Sequence, residues 1–496
     1  MFLAKRLCIA SLLISSLVLT SQCCYHGNLD VDTSGNLYKK EREYIEKRKK
    51  IVKKELEDFT GKEVSEDIII GLCSGGGSNR SLFVTLGFIR GLVEIGLFKA
   101  STYMSGLSGS TWLIIAMLLR NAFFKNELSE KSTQDKDFKK FLKELKEKLQ
   151  ENISKNFWRS KIALEFIETA IKNLVSSHKT EYDDIWGEEV AGKQLIGDLP
   201  KWKQLTFKKI RSFLKKTDAY PFPACVAIMK DTLPSGEYEQ IEVTPFSCGS
   251  RFLKGFIPTK YFGSIYENGK RIETKDEKPI SSFIGILSSV FDVNDADPAL
   301  QLIQFIPETD SEKSNIIEKV HKTIKKHKLG KKNFFASKIP NPTYKMEKSG
   351  YKGEFLNIAD GGFAFNLAMS PLLRKKRKVK LVICCDPSSD ACSRGFPELK
   401  LVKRYAKRYD LTFPSMKRYD KITPHIFLFK WDENKKTSKK MLRIFYFENT
   451  VSDSTFKMQY PQEESSKLCD TMKNMVINKK VKDAIKKEII EMDKQS

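Results

Sequence analysis

Ten cysteines are spread through the 496 residues with no C-x-x-C pair and no histidine cluster beside any of them. The chain therefore specifies neither a disulfide scaffold nor a zinc site. Histidine is scarce: His26, His178, His321, His327 and His425 are all there are. The glycine-rich stretch SGGGSNR, residues 74–80, matches neither G-x-G-x-x-G nor the P-loop with its Lys-Ser/Thr, so nucleotide binding has no fingerprint to rest on. No internal repeat is present, which removes solenoids and propellers. What the chain does have is apolar material, 41% hydrophobic and 11% aromatic, enough to bury a large core and to exclude disorder. It also carries 87 Lys+Arg against 62 Asp+Glu, a net charge of +25. Such a balance favours anionic partners, phospholipid surfaces or nucleic acid, although the abundance of lysine, isoleucine and phenylalanine leaves compositional bias as a second source of the charge.

The first 24 residues, MFLAKRLCIASLLISSLVLTSQCC, place Lys5 and Arg6 before an apolar core from Leu7 to Leu19. That core is short for a bilayer span, so residues 1–24 are expected to be a signal peptide or lipoprotein leader, with Cys23 or Cys24 as lipidation candidates and a secreted or membrane-anchored protein as the consequence. Residues 25–53 read as a polar linker running into a charged helix, and the remainder is long enough for one large α/β domain.

Within that domain EDIIIGLCSGGGSNR gives a strand, a glycine turn and a helix start, followed by a helix through SLFVTLGFIRGLVEIGL and a short strand at STYM. Strand, helix, strand, helix in this order implies a parallel sheet covered by helices. KLVICCD, HIFLFKW and RIFYF read as further strands. Between 127 and 155, Phe138, Leu142, Leu145, Leu149 and Ile153 recur at helical spacing opposite lysines and glutamates, either an ordinary surface helix or a mobile lid within a cap insertion spanning about 120–200. The lysine-rich tract 319–334 reads as a solvated insertion.

SGLSGSTW, residues 105–112, sets Ser108 between two glycines, after a strand and before an apolar helix. A sharp strand-to-helix turn exposes a serine hydroxyl, as a nucleophile requires. Serine is weak at neutral pH and needs a base, together with donors for the oxyanion formed on a carbonyl. The glycine turn at 74–80 can supply amides at a helix N-terminus. Two bases are open. Ser108, Asp360 and His425 fall in the chain order of an α/β-hydrolase triad, and Asp360 in IADGGFAFN stands on an uncrowded turn from which a carboxylate can reach a serine on another loop.

SGGGSNR, GLSGSTW and DGGFAFNL in this order resemble the catalytic domain of the cytosolic (group IV) phospholipase A2 family, with lysophospholipases and patatins as relatives. FIPTKYFGS, FIGILSSVF, PLLRKKRKVKLVICCD and STFKMQYP continue the resemblance over about 54–492. It implies an α/β fold with a mostly parallel central sheet and a helical lid or cap insertion. It also implies a Ser108–Asp360 dyad without histidine, oxyanion amides at Gly76 and Gly77, and substrate phosphate held by Arg80 and Arg377. The expected substrates are phospholipids and lysophospholipids at an anionic membrane surface, with no nucleic acid, metal or cofactor in the chemistry. Where the family has one residue between the last glycine and the arginine, this chain has Ser78 and Asn79. Either the loop is longer by one, or Ser78 fills a glycine position. Two rivals stay open beside this reading, a His425 triad esterase or thioesterase acting on soluble esters, and an inactive lipid-binding protein.

Overall fold

The computed structural model describes residues 30–124, 135–154, 182–230, 236–288, 314–315, 318, 322, 337–389, 393–430, 442–451, 453–454 and 457–495. The leader with Cys23 and Cys24, the tract 319–334 apart from Lys322, and His26, His178, His321 and His327 lie outside the described residues.

The chain enters through helix α1 (Lys39–Thr60) and passes to strand β1 (Ile70–Ser74), α2 (Ser78–Glu94), β2 (Tyr103–Leu107) and α3 (Gly109–Phe124). After α4 (Asp135–Ser154), α5 (Tyr182–Glu189) and α6 (Phe207–Lys216) come β3 (Phe222–Met229), β4 (Glu239–Val243), β5 (Ser247–Ser250) and β6 (Gly255–Pro258). The small hairpin β7 (Ile265–Glu267) and β8 (Lys270–Glu273), helix α7 (Ile280–Ile286), β9 (Ser337–Pro340) and β10 (Phe355–Asp360) follow. The last part is β11 (Leu381–Ser389), α8 (Pro397–Arg408), β12 (Asp420–Thr423), β13 (Ile426–Phe429), β14 (Arg443–Asn449), α9 (Gln462–Ile477) and α10 (Lys479–Lys494).

One large sheet organises the molecule in the order β12-β13-β14-β11-β1-β2-β3-β4-β5-β6. Its centre, β14-β11-β1-β2-β3, is parallel throughout. The uniform burial of β1, β2 and β14 and the apolar run Leu381–Cys385 of β11 fit this, since strands buried on both faces carry no alternation. The expected parallel sheet is thus present at the centre. HIFLFKW forms the expected strand, β13, which runs antiparallel to β14. β4, β5 and β6 extend the other side antiparallel.

Residues 39–53 form the charged helix into which the linker was expected to run, and α1 is packed from its first turn, with Glu41, Tyr44 and Arg48 buried and the Arg48 guanidinium donating to the Ser101 carbonyl at 2.7 Å. The apolar stripe of α4 is also covered. Leu142, Leu145, Leu149 and Ile153 are buried, and the helix is pinned by Lys146 to Asp470 and by Gln150 to Ser465. A helix whose apolar face is already buried in the body is a packed surface helix rather than a lid.

Candidate active site

Strand β3 brings the two principal residues together. Along one edge it pairs in parallel with β2 up to Leu107↔Val226, and along the same edge it pairs antiparallel with β10 from Asp360↔Ala227. The other edge is taken by β4. Two strands of opposite direction therefore meet head to head on neighbouring residues of β3, and Ser108 follows one tip where Asp360 forms the other.

Local chemistry shapes the serine tip. Ser108 adopts φ +53°, the left-handed conformation of a sharp turn, and its carbonyl accepts the Trp112 amide of the new helix. The Ser110 hydroxyl locks the bend, accepting the Leu107 amide at 2.8 Å and donating back to the Leu107 carbonyl. A Cβ on Gly109 would overlap the Ser78 carbonyl oxygen, so position 109 admits glycine only. The serine itself is 3% exposed.

Asp360 is buried, and burial pushes its carboxyl up to about 6 against an opposing pull from the Gly362 amide and the Ser108 hydroxyl. Its Oδ1 accepts the Gly362 amide at 2.7 Å. Its Oδ2 is buried without a hydrogen-bond partner among the described residues. The Ser108 hydroxyl therefore lies near enough to lower the carboxyl's pKa without reaching hydrogen-bond geometry. A resting base tightens this contact only when substrate is bound.

The glycine turn sits against the serine, for a Cβ on Gly76 would stand 3.0 Å from the Ser108 Cβ. Asn366 holds the turn from both sides: its Oδ1 accepts the Gly76 amide at 3.0 Å and its Nδ2 donates to the Gly76 carbonyl at 3.1 Å. This corrects the expectation that Gly76 donates to an oxyanion, since its N–H is already engaged. Gly77 and Ser78 adopt φ +137° and +49°. Ser78 thus occupies backbone space that favours glycine, in keeping with the alternative in which it fills a glycine position. Neither the Gly77 nor the Ser78 amide has a hydrogen-bond acceptor among the described residues, and both stand at the start of α2, where first-turn amides are unpaired and the dipole favours negative charge. Asn366 was overlooked from sequence although it lies in DGGFAFNL, because its partner is 290 positions away.

Arg80 lies over this turn, with Nη2 2.7 Å from where a Gly77 Cβ would stand. Its guanidinium is nearly buried and donates to the Asp453 carbonyl. Arg377 is elsewhere. It is fully buried, bonded to Glu41 at 2.7 Å and to Glu242 at 2.8 Å, and stacked over the Tyr103 ring. Tyr103 begins β2 and Ser108 follows its end, a strand length of roughly 16 Å. Arg377 therefore ties α1 to the sheet and binds no substrate phosphate, which corrects the expectation. His425 is also remote. It pairs with Glu448 at 3.1 Å beside β13, four strand spacings from β2, roughly 19 Å at about 4.8 Å each. The triad expectation fails on that separation.

A family model described as the lysophospholipase catalytic domain matches residues 69–422. Mouse cytosolic phospholipase A2 epsilon is 24% identical over 443 residues, covering 78% of this chain and 48% of the relative. Mouse cytosolic phospholipase A2 gamma is 26% identical over 232 residues, 45% of this chain and 34% of the relative. The chain thus spans about half, or less, of the curated relatives it matches. The solved structure of human GIVD cytosolic phospholipase A2 superposes with a TM-score of 0.70 at 17% identity, over 95% of this chain and 69% of that one; at that identity the match speaks for the fold. The expectation of a secreted or lipid-anchored lipoprotein is overturned by these relatives, which are named as cytosolic enzymes. Among the described residues no helix is long and apolar enough to cross a membrane.

Proposed function

The chain belongs to the lysophospholipase catalytic-domain family, and from that premise we propose that it is a phospholipase A2 or lysophospholipase whose nucleophile is Ser108 and whose base is Asp360. The observation that carries the proposal is the meeting of the two residues on adjacent positions of β3, at the joint start of α2 and α3.

In this mechanism Ser108 Oγ attacks the acyl carbonyl carbon of a phospholipid ester and its proton passes to Asp360 Oδ2, the buried oxygen without a partner among the described residues. The tetrahedral oxyanion is held by the Gly77 and Ser78 amides, whose alignment before reaction is what makes such donors effective. Collapse expels the alkoxide of the glycerol, which takes the proton from Asp360 and leaves an acyl-serine. Water then attacks the acyl-serine as Asp360 takes its proton, and the fatty acid leaves with Ser108 reprotonated. Arg80, beside Gly77, supplies the positive charge for the substrate phosphodiester, and its burial in a water-poor setting strengthens that attraction. The Ser108–Asp360 pair supplies nucleophile and base from the chain's own residues.

The substrate surface is read from charge. Every exposed position of α8, namely Lys400, Lys403, Arg404 and Lys407, is a cation, and the first turn of α8 reaches the site through Glu398, which accepts the Asn366 amide. An anionic lipid aggregate fits that face. The test is fatty-acid release from vesicles. Wild type should hydrolyse phospholipid or lysophospholipid, faster on anionic than on zwitterionic vesicles at low salt, whereas Ser108→Ala should be inactive. Turnover by Ser108→Ala at the wild-type rate would remove the proposal.

A further inference from the structure

We propose that Asn366 is a positioning residue for the oxyanion site: its carboxamide clamps the glycine turn to Ser108 and so aims the Gly77 and Ser78 amides. The inference rests on Ser108 being the nucleophile. It concerns a residue that touches neither substrate nor the reacting atoms.

A carboxamide is the only common side chain of this size that presents an acceptor and two donors in one plane, and Asn366 uses all of them. Oδ1 accepts the Gly76 amide at 3.0 Å, while Nδ2 donates to the Gly76 carbonyl at 3.1 Å and to Ser388 Oγ at 3.2 Å. Both polar groups of one glycine are thereby fixed by one side chain. The glycine so fixed precedes Gly77 and packs on the Ser108 Cβ. The clamp is itself held at two points. The Asn366 amide donates to Glu398 at the start of α8, and Ser388 is held by Asp386, which accepts the Ser388 amide at 2.8 Å and the Tyr446 hydroxyl. Without the clamp Gly76 recovers a free amide and a free carbonyl beside the nucleophile. The turn, with its two residues at positive φ, then loses the only side chain among the described residues that bonds both polar groups of Gly76.

Charged groups face this position from every side. Asp360 lies across Gly362, Glu398 on α8, Asp386 behind Ser388, and Arg80 across Gly77. Burial holds the carboxyls of Asp360, Asp386 and Glu398 above the ordinary range. A carboxyl introduced by Asn366→Asp would meet the same burial and three like charges, so it would be neutral at low pH, able to mimic one donor and one acceptor, and would lose that donor on ionising.

The experiment measures kcat and KM on a soluble p-nitrophenyl acyl ester across pH 5 to 9 for wild type, Asn366→Leu and Asn366→Asp, with thermal melts to verify folding. Asn366→Leu should lower kcat by about 100-fold, the scale of a lost oxyanion donor, with KM within about threefold. Asn366→Asp should add a falling alkaline limb that wild type lacks. Equal kcat for wild type and a folded Asn366→Leu, a loss confined to KM, or a pH profile of Asn366→Asp parallel to wild type would each overturn the proposal. A wild type inert on the ester and on lipid would overturn the nucleophile assignment and this inference together, whereas an active wild type matched by both variants overturns this inference alone.

Discussion

Burial sets the working range of the Asp360 carboxyl, holding it up at about 6. A base must be ionised to take a proton, so kcat/KM should rise with pH through about 6 and level off above 7, as a pH profile of initial rates would show. The same shift has a stability consequence with a definite sign. The folded pKa lies above the unfolded value of 3.8, so stability from this group is complete below about pH 4 and is lost as pH rises through about 6. At pH 8 the ionised, buried carboxylate costs about 3 kcal/mol. Asp360→Asn should therefore abolish turnover, raise the melting temperature by a few degrees at pH 8, and leave it nearly unchanged at pH 4. A destabilised variant at pH 8 would contradict the account. Ser108 and Asp360 were both legible in the sequence, through the small residues that each turn requires. Asn366 was not, because nothing local to position 366 indicates a bond to position 76.

Two helices begin at the site, and the two turns before them do the positioning. Ser78 at φ +49° carries strain of about 1 kcal/mol that glycine would not, while the proposed mechanism asks of it only a backbone amide. Ser78→Gly should accordingly retain kcat within about threefold and match or exceed wild-type stability by about 1 kcal/mol. Gly109→Ala should do the opposite, because its Cβ must push the Ser78 carbonyl, and with it the oxyanion turn, away from the nucleophile. A displacement of about 1 Å costs on the order of 100-fold in rate, which steady-state kinetics on a soluble ester would read. At this scale the sequence showed β1, β11 and β14 through their apolar runs and the start of β2 at STYM, while Ser105 and Gly106 hid the rest of β2. It did not show that β10 returns antiparallel to meet β2 on β3. β10 has partly exposed residues at its first and third positions, and its partner is chosen by a contact 133 residues distant, Asp360 with Ala227.

At the scale of the whole molecule, charge is used in two ways. On the surface it is in excess, with +25 overall and an unbroken cationic face on α8. In the interior it is balanced: Arg377, Arg374, Glu41 and Glu242 form one buried cluster joining α1, β4 and the segment before β11. Removing one member strands the others, so Arg377→Leu should lower stability by about 3–5 kcal/mol in denaturant unfolding. Any activity lost should fall equally on phospholipid and on a neutral soluble ester. A selective loss on phospholipid would restore the phosphate-binding role that the burial of Arg377 removes. The measurement that tests the central claim most directly is fatty-acid release from mixed phospholipid and lysophospholipid vesicles, in excess chelator, by wild type, Ser108→Ala, Asp360→Asn and His425→Ala. The account predicts release by wild type and by His425→Ala at comparable rates and none by the other two. An inert His425→Ala beside an active Asp360→Asn would contradict it.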